Sequence, residues 1–129
     1  PNETAVAGDV GGTVPATLSL SLGAPATFGA FTPGVAKEYT ASTTATVIST
    51  AGDATLSVSD NGPNPGHLVN GAYALPQSLQ GLGTVKTWDA PVSNEAVAVE
   101  FKQAIGANDA LRTGAYSKTL TFTLSTTNP

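Results

Sequence analysis

Apolar and polar residues alternate along most of this chain, and the period is two. Residues 16–22 read Ala-Thr-Leu-Ser-Leu-Ser-Leu, which sets Leu18, Leu20 and Leu22 on one side of an extended backbone. Residues 114–125 repeat the design, with Leu120, Phe122 and Leu124 opposite Thr119, Thr121, Thr123 and Ser125. In residues 96–105, Val97, Val99, Phe101 and Ile105 oppose Ala98, Glu100, Lys102 and Ala104. A strand with one face on a core and the other in water needs this pattern.

The remaining segments fit the same scheme. Residues 37–49 carry Thr, Val and Ile without Gly or Pro and read as one long strand or a bent pair, with the register open. Residues 54–59 alternate again, Leu56 and Val58 inward, and 67–75 read as a strand interrupted at Asn70-Gly71. A short strand covers 84–88, and Asn108 to Leu111 suggest a single helical turn. Turn signals fall at Gly23-Ala24-Pro25, Thr32-Pro33-Gly34, Ala51-Gly52-Asp53 and, most strongly, in Asp60-Asn61-Gly62-Pro63-Asn64-Pro65-Gly66. Residues 1–15 read as a flexible lead-in whose small apolar positions can pair at an edge. About seven or eight short strands with frequent turns predict an all-β fold: an antiparallel β-sandwich, Ig-like or jelly-roll, over residues 16–129.

Composition narrows the function. Charged residues are only 11% of the 129, below the roughly 25% of an average soluble protein, and hydroxyl side chains take over the polar faces. Aromatics at 6% leave a thin core of Leu, Val, Ile and a few Phe. The five cations are scattered in a chain of net charge −4, which argues against a nucleic-acid partner. No apolar run is long enough for membrane insertion. Cys and Met are both absent, and a chain opening Pro1-Asn2-Glu3-Thr4 reads as trimmed. Export is the expected destination.

No catalytic set is expected. His67 is the single histidine, set in Pro65-Gly66-His67-Leu68 away from any nucleophile elbow, and the acids sit mainly in turns. One His and no Cys exclude the usual zinc ligands. Calcium is the one cofactor with candidate ligands, the hard oxygens of Asp53, Asp60, Asn61 and Asn64. Trp88, Tyr73 and Tyr39 are candidates for a glycan-stacking platform, against the plainer reading of Trp88 as a strand-end cap. Lys118 falls in register with inward Leu120, which suggests snorkelling at the sheet rim or, less readily, a Lys–Asn cross-link. Tyr116, two residues after Gly114 at the start of a late strand, suits a sandwich corner closed by its hydroxyl on upstream backbone.

The run from Leu111 to Pro129, with Gly114-Ala115-Tyr116 leading into an alternating strand, resembles bacterial secreted and cell-surface domains. Residues 28–58 are similar to the same group. The chain also looks broadly like wall-associated and pilus-type modules. The resemblance implies export, a β-sandwich and a structural or adhesive role, and it brings no catalytic residues. The Trp-x-Leu motif of one wall-binding group is missing, since Asp89 and Ala90 follow Trp88, so peptidoglycan binding is not implied.

The function expected is therefore that of a non-enzymatic extracellular spacer, repeat module or fibre subunit. Its partners would be other surface modules or copies of itself, met through edge strands. The alternative is a carbohydrate- or calcium-binding module, and a more distant one is a binding scaffold edited from such a domain.

Overall fold

The computed structural model describes residues 2–127, so Pro1, Asn128 and Pro129, at the ends of the lead-in and of the resembling run, lie outside it. The described residues form eight strands, all paired antiparallel: β1 (Leu18–Leu22), β2 (Lys37–Ser49), β3 (Ala54–Ser59), β4 (Val69–Asn70), β5 (Tyr73–Ala74), β6 (Gly83–Trp88), β7 (Val92–Ile105) and β8 (Thr121–Ser125). Two sheets, ordered β1-β2-β7 and β6-β3-β8, make an open sandwich, and β4 and β5 form a small separate hairpin. The all-β sandwich read from the alternation is the fold. No helix occurs among the described residues.

The central strands β2 and β3, and the long edge strand β7, bury every second residue over most of their length. In β3 these are Ala54, Leu56 and Val58, and in β7 they are Val97, Val99, Phe101, Gln103 and Ile105. The inward row of β2 runs Tyr39, Ala41, Thr43, Ala45, Val47, Ser49, small and partly polar, which is why its alternation is weak in the sequence. Residue 48 of β2 faces an extra residue in β7, because Val47 pairs Glu95 while Ser49 pairs Val92. Asn94 takes up that bulge at φ 50°, a conformation Asn tolerates better than most residues.

Several expectations are corrected. The final strand begins at Thr121 rather than Gly114, because its partner β3 ends at Ser59 and the chain then turns away, leaving 114–120 only a single bridge, Ser117 to Val69. Residues 67–75 form two-residue strands around a Gly71-Ala72 turn. The expected helical turn at 108–111 is instead a tight turn, in which Asp109 N–H donates to the Gly106 carbonyl and Gly106 N–H to the Asp109 carboxylate. Leu18 and Leu22 share the inward side of β1 with Leu20 but are 43% and 50% exposed, since β1 is an edge strand. Residues 2–17 join no ladder, and Val6, Val10 and Val14 are almost fully exposed.

Connectivity defines two poles. The short turn 50–53 joins the end of β2 to the start of β3, and the chain reaches β1 opposite Ser49 and leaves β8 opposite Thr55. Both chain ends therefore emerge at this pole. They are pinned to the same turn: Thr17 N–H donates to Thr50 Oγ1 at 2.9 Å, and the Thr127 hydroxyl and N–H donate to Asp53. The long loops 23–36, 60–68 and 106–120 gather at the opposite pole, where they roof the extension of β2 and β7 that the shorter second sheet leaves uncovered.

Candidate functional site

Most of the ionisable and aromatic groups singled out in the sequence turn onto backbone or onto each other. Asp60 and Lys118 form a buried ion pair, Nζ to Oδ2 3.0 Å, with side chains 2% and 5% exposed. The Lys118 ammonium also donates to the carbonyl oxygens of Pro63, Asn64 and His67. Asp60 accepts N–H bonds from Gly62 at 3.0 Å and Gly66 at 2.7 Å. Burial works to raise the Asp60 pKa, but the Lys118 bond and the two N–H groups outweigh it and hold the carboxyl below its ordinary range. Lys118 therefore does not snorkel into water, its side chain being 5% exposed. It is the hub of the 60–67 loop, a point charge collecting the oxygens that a bound cation would collect.

The four candidate calcium ligands do not meet. Asp53 holds Thr127 at the pole of the chain ends, whereas Asp60 follows the other end of β3, about 20 Å along a strand of this length. Asn61 reaches Thr121 through its side-chain amide, and Asn64, at φ 51°, turns its carbonyl to Lys118. Among the described residues no three His, Cys, Asp or Glu side chains cluster.

The three aromatics of the supposed platform are likewise apart. Trp88 is 9% exposed at the pole of the chain ends, its indole N–H donating to Glu95 at 2.9 Å and Lys86 lying over the ring. Bonds from Lys86 and then Trp88 keep the Glu95 carboxyl below its usual range. Tyr39 is buried near the far end of β2, stacked edge-on against Phe31, and its hydroxyl accepts the Thr32 N–H at 2.9 Å. That bond eases loss of the phenolic proton and lowers the Tyr39 pKa. Only Tyr73 is on the surface, 50% exposed, with the Arg112 guanidinium 4.4 Å from its ring centre. A pattern-based reading cannot separate a strand-end aromatic that faces water from one that a carboxylate seven residues away, Glu95, draws inward.

Tyr116 accepts the Arg112 N–H at 2.9 Å, an upstream-backbone bond of the sandwich-corner kind. Its ring packs on the core, so the bond fastens the loop before β8. Tyr116→Phe is expected to cost about 1 kcal/mol, the net worth of one hydrogen bond, read as a shifted denaturation midpoint with an unchanged slope. His67 is held by the loop too, Nδ1 2.8 Å from the Leu75 carbonyl oxygen. Asp109 closes its turn on Gly106 and accepts from Gln77, and these bonds, Gly106 first, lower its pKa.

Two openings of about 430 Å³ each remain near the loop pole, one between residues 27–33 and 111–116 and the other a mainly apolar groove. One wall is Leu22, Pro25 and Phe28, the other Leu120 and Phe122, and Phe101 is on its floor. Here the sandwich has no third layer: β1 and β8 are both edge strands, and the inward side chains Leu20, Leu120, Phe122 and Leu124 are only partly covered. The sequence does place these residues inward, but it carries no sign that nothing covers them. In fold and site together the molecule is an all-β antiparallel sandwich with one apolar open side. No protein-family model, curated protein or solved structure matches the chain.

Proposed function

We propose that this chain is a non-enzymatic extracellular module with a structural and adhesive role, attached through the pole of its chain ends and making contact at the other. The observation that carries this reading is the polarity of the fold. Both ends are pinned to the turn at 50–53, while the long loops and the groove are at the far side. Charged groups support it as well, since Asp60, Lys118, Glu95 and Asp109 each fasten a loop or a strand end. The likeness of the last strand to exported surface domains points the same way.

One observation favours a glycan as the thing contacted. Tyr73 presents a half-exposed ring at the loop pole, backed by Arg112, and such a flat, stiffened face suits the apolar side of a sugar. The test is retention of immobilised glycans and matrix proteins by the chain anchored through its C-terminal end. Tyr73→Ala and Val35→Asp, both at the loop pole, are expected to weaken retention at least about tenfold, and Asp89→Ala at the other pole to leave it unchanged. Equal retention by all three variants overturns the reading. Turnover of an ester or glycoside that His67→Ala removes also overturns it.

A further inference from the structure

We propose that the opening between residues 27–33 and 111–116 binds an acidic sugar of a larger glycan, the sugar carboxylate pairing with the Arg112 guanidinium. The inference names the class of glycan, and it rests on the reading above in which a sugar meets Tyr73.

Arg112 is a cation that the fold leaves without an acid beside a cavity. Lys118 is held by Asp60, Lys86 by Glu95, and Lys102 lies between Glu38 and Glu100. Lys37 lies over the Tyr39 ring. Among the described residues no carboxylate pairs with Arg112, which is exposed and lines the opening of about 430 Å³. Of the residues lining that opening, Arg112 alone is charged, and Ala30, Phe31, Pro33, Leu111 and Tyr116 make much of the rest. The volume is in the range of small-ligand sites, about 300–1,000 Å³.

The guanidinium is aimed as well as free. Its Cζ is 4.4 Å over the Tyr73 ring centre. Such a stack engages the flat face of the group and leaves the N–H bonds, which point outward in its plane, for an acceptor. Two parallel N–H bonds match the two oxygens of one carboxylate, a geometry that lysine does not offer. A polymer with its acid here can set a neighbouring sugar on the open part of Tyr73.

Both walls are fixed before a ligand arrives. Arg112 N–H donates to the Tyr116 hydroxyl at 2.9 Å, and the Thr113 carbonyl accepts from the Asn70 amide at 3.1 Å. On the facing wall Thr32 N–H donates to the Tyr39 hydroxyl, and Phe31 stacks on the same ring. Little conformational freedom is therefore left to lose on binding. Repulsion is placed elsewhere. Glu3, Asp9, Asp53 and Asp89, which no cation pairs among the described residues, are in the lead-in or at the pole of the chain ends. Asp109, three residues before Arg112, has its carboxylate engaged by Gly106 N–H and Gln77.

The test is titration calorimetry on the full chain with oligomers of polygalacturonate, alginate and hyaluronate, each beside its carboxyl-reduced form. At least one acid form is expected to bind about tenfold or more tightly than its neutral twin, and added salt to weaken the acid form alone. Arg112→Gln is expected to abolish that preference and Arg112→Lys to remove most of it. Both variants should melt like the parent, because the stabilising bond at 112 is made by the main chain. No preference for any acid form overturns the inference, and so does Arg112→Lys binding like the parent. Dextran sulfate bound as tightly as the best acid form would show a general anion site and overturn it too. Acid and neutral forms bound equally, but lost in Tyr73→Ala, would spare the glycan contact, whereas retention unaffected by Tyr73→Ala would strike that contact itself.

Discussion

Asp60→Ala is expected to destabilise the fold by about 3–5 kcal/mol, a fall of roughly 10 °C or more in melting temperature for a domain of this size. The reason is what the substitution leaves behind. Lys118 would keep its ammonium among the carbonyls of Pro63, Asn64 and His67, 5% exposed and without a counter-charge. The N–H groups of Gly62 and Gly66 would lose their acceptor at the same time. Lys118→Met is expected to cost a similar amount, since Asp60 is then buried unpaired. The two losses should not add. The double variant Asp60→Ala/Lys118→Met removes both charges, and its cost is expected to fall at least about 1 kcal/mol short of the sum. Strict additivity in denaturant titrations would show that the two groups stabilise the loop independently.

The same pair sets an acid limit. The folded pKa of Asp60 is lowered, and its unfolded value is close to 3.8. Its contribution is therefore complete above about pH 4 and is lost as pH falls through the lower folded pKa, because the unfolded chain binds the proton first. Glu95 and Asp109 are lowered too and act in the same direction. Stability is expected to fall below about pH 4, and Asp60→Asn to make that fall shallower without abolishing it. An unchanged acid slope in Asp60→Asn would exclude the pair as its source.

Local pattern carried the sandwich, and long-range pairing carried the rest. β3 occupies the expected residues because Leu56 and Val58 alternate between two turn signals. β8 reads too long because alternation continues back to Gly114, although strand length depends on a partner and β3 stops at Ser59. Leu18 and Leu22 read as inward for the right geometric reason, yet direction is not burial when no layer lies opposite. Of the candidate site, Tyr116 has a local signal in Gly114-Ala115-Tyr116. Asp60 and Lys118 have none that joins them, since the loop from β3 and the approach to β8 meet only in the fold. The lead-in shows the converse. Its apolar row is plain in the sequence, but only its exposure in the structure turns that row into a surface without a partner.

Gly81→Ala is expected to cost roughly 2–5 kcal/mol, for two separable reasons. The residue adopts φ +111°, a backbone state that L side chains rarely occupy. A Cβ there would also be 2.5 Å from the Glu100 carbonyl oxygen and 3.0 Å from the Phe101 ring. The two residues before it show why the segment cannot simply retreat. Gln80 exchanges both backbone hydrogen bonds with Lys102, at 2.9 and 3.1 Å, and Leu79 N–H donates to Gly66 at 2.7 Å. Gly71 isolates the dihedral part, being at φ +60° with nothing within 4 Å of its Cβ position; Gly71→Ala is expected to cost only about 1–2 kcal/mol. Equal melting temperatures for the two variants would show that the approach to β7 contributes nothing. The expected difference has a readable local cause, because the amides of Gln80 and Lys102 should lose hydrogen-exchange protection in Gly81→Ala and keep it in Gly71→Ala. β7 has no strand on its outer edge, so the backbone at Gln80 takes the place of one opposite Lys102, and a single added methyl group at Gly81 is enough to lift it.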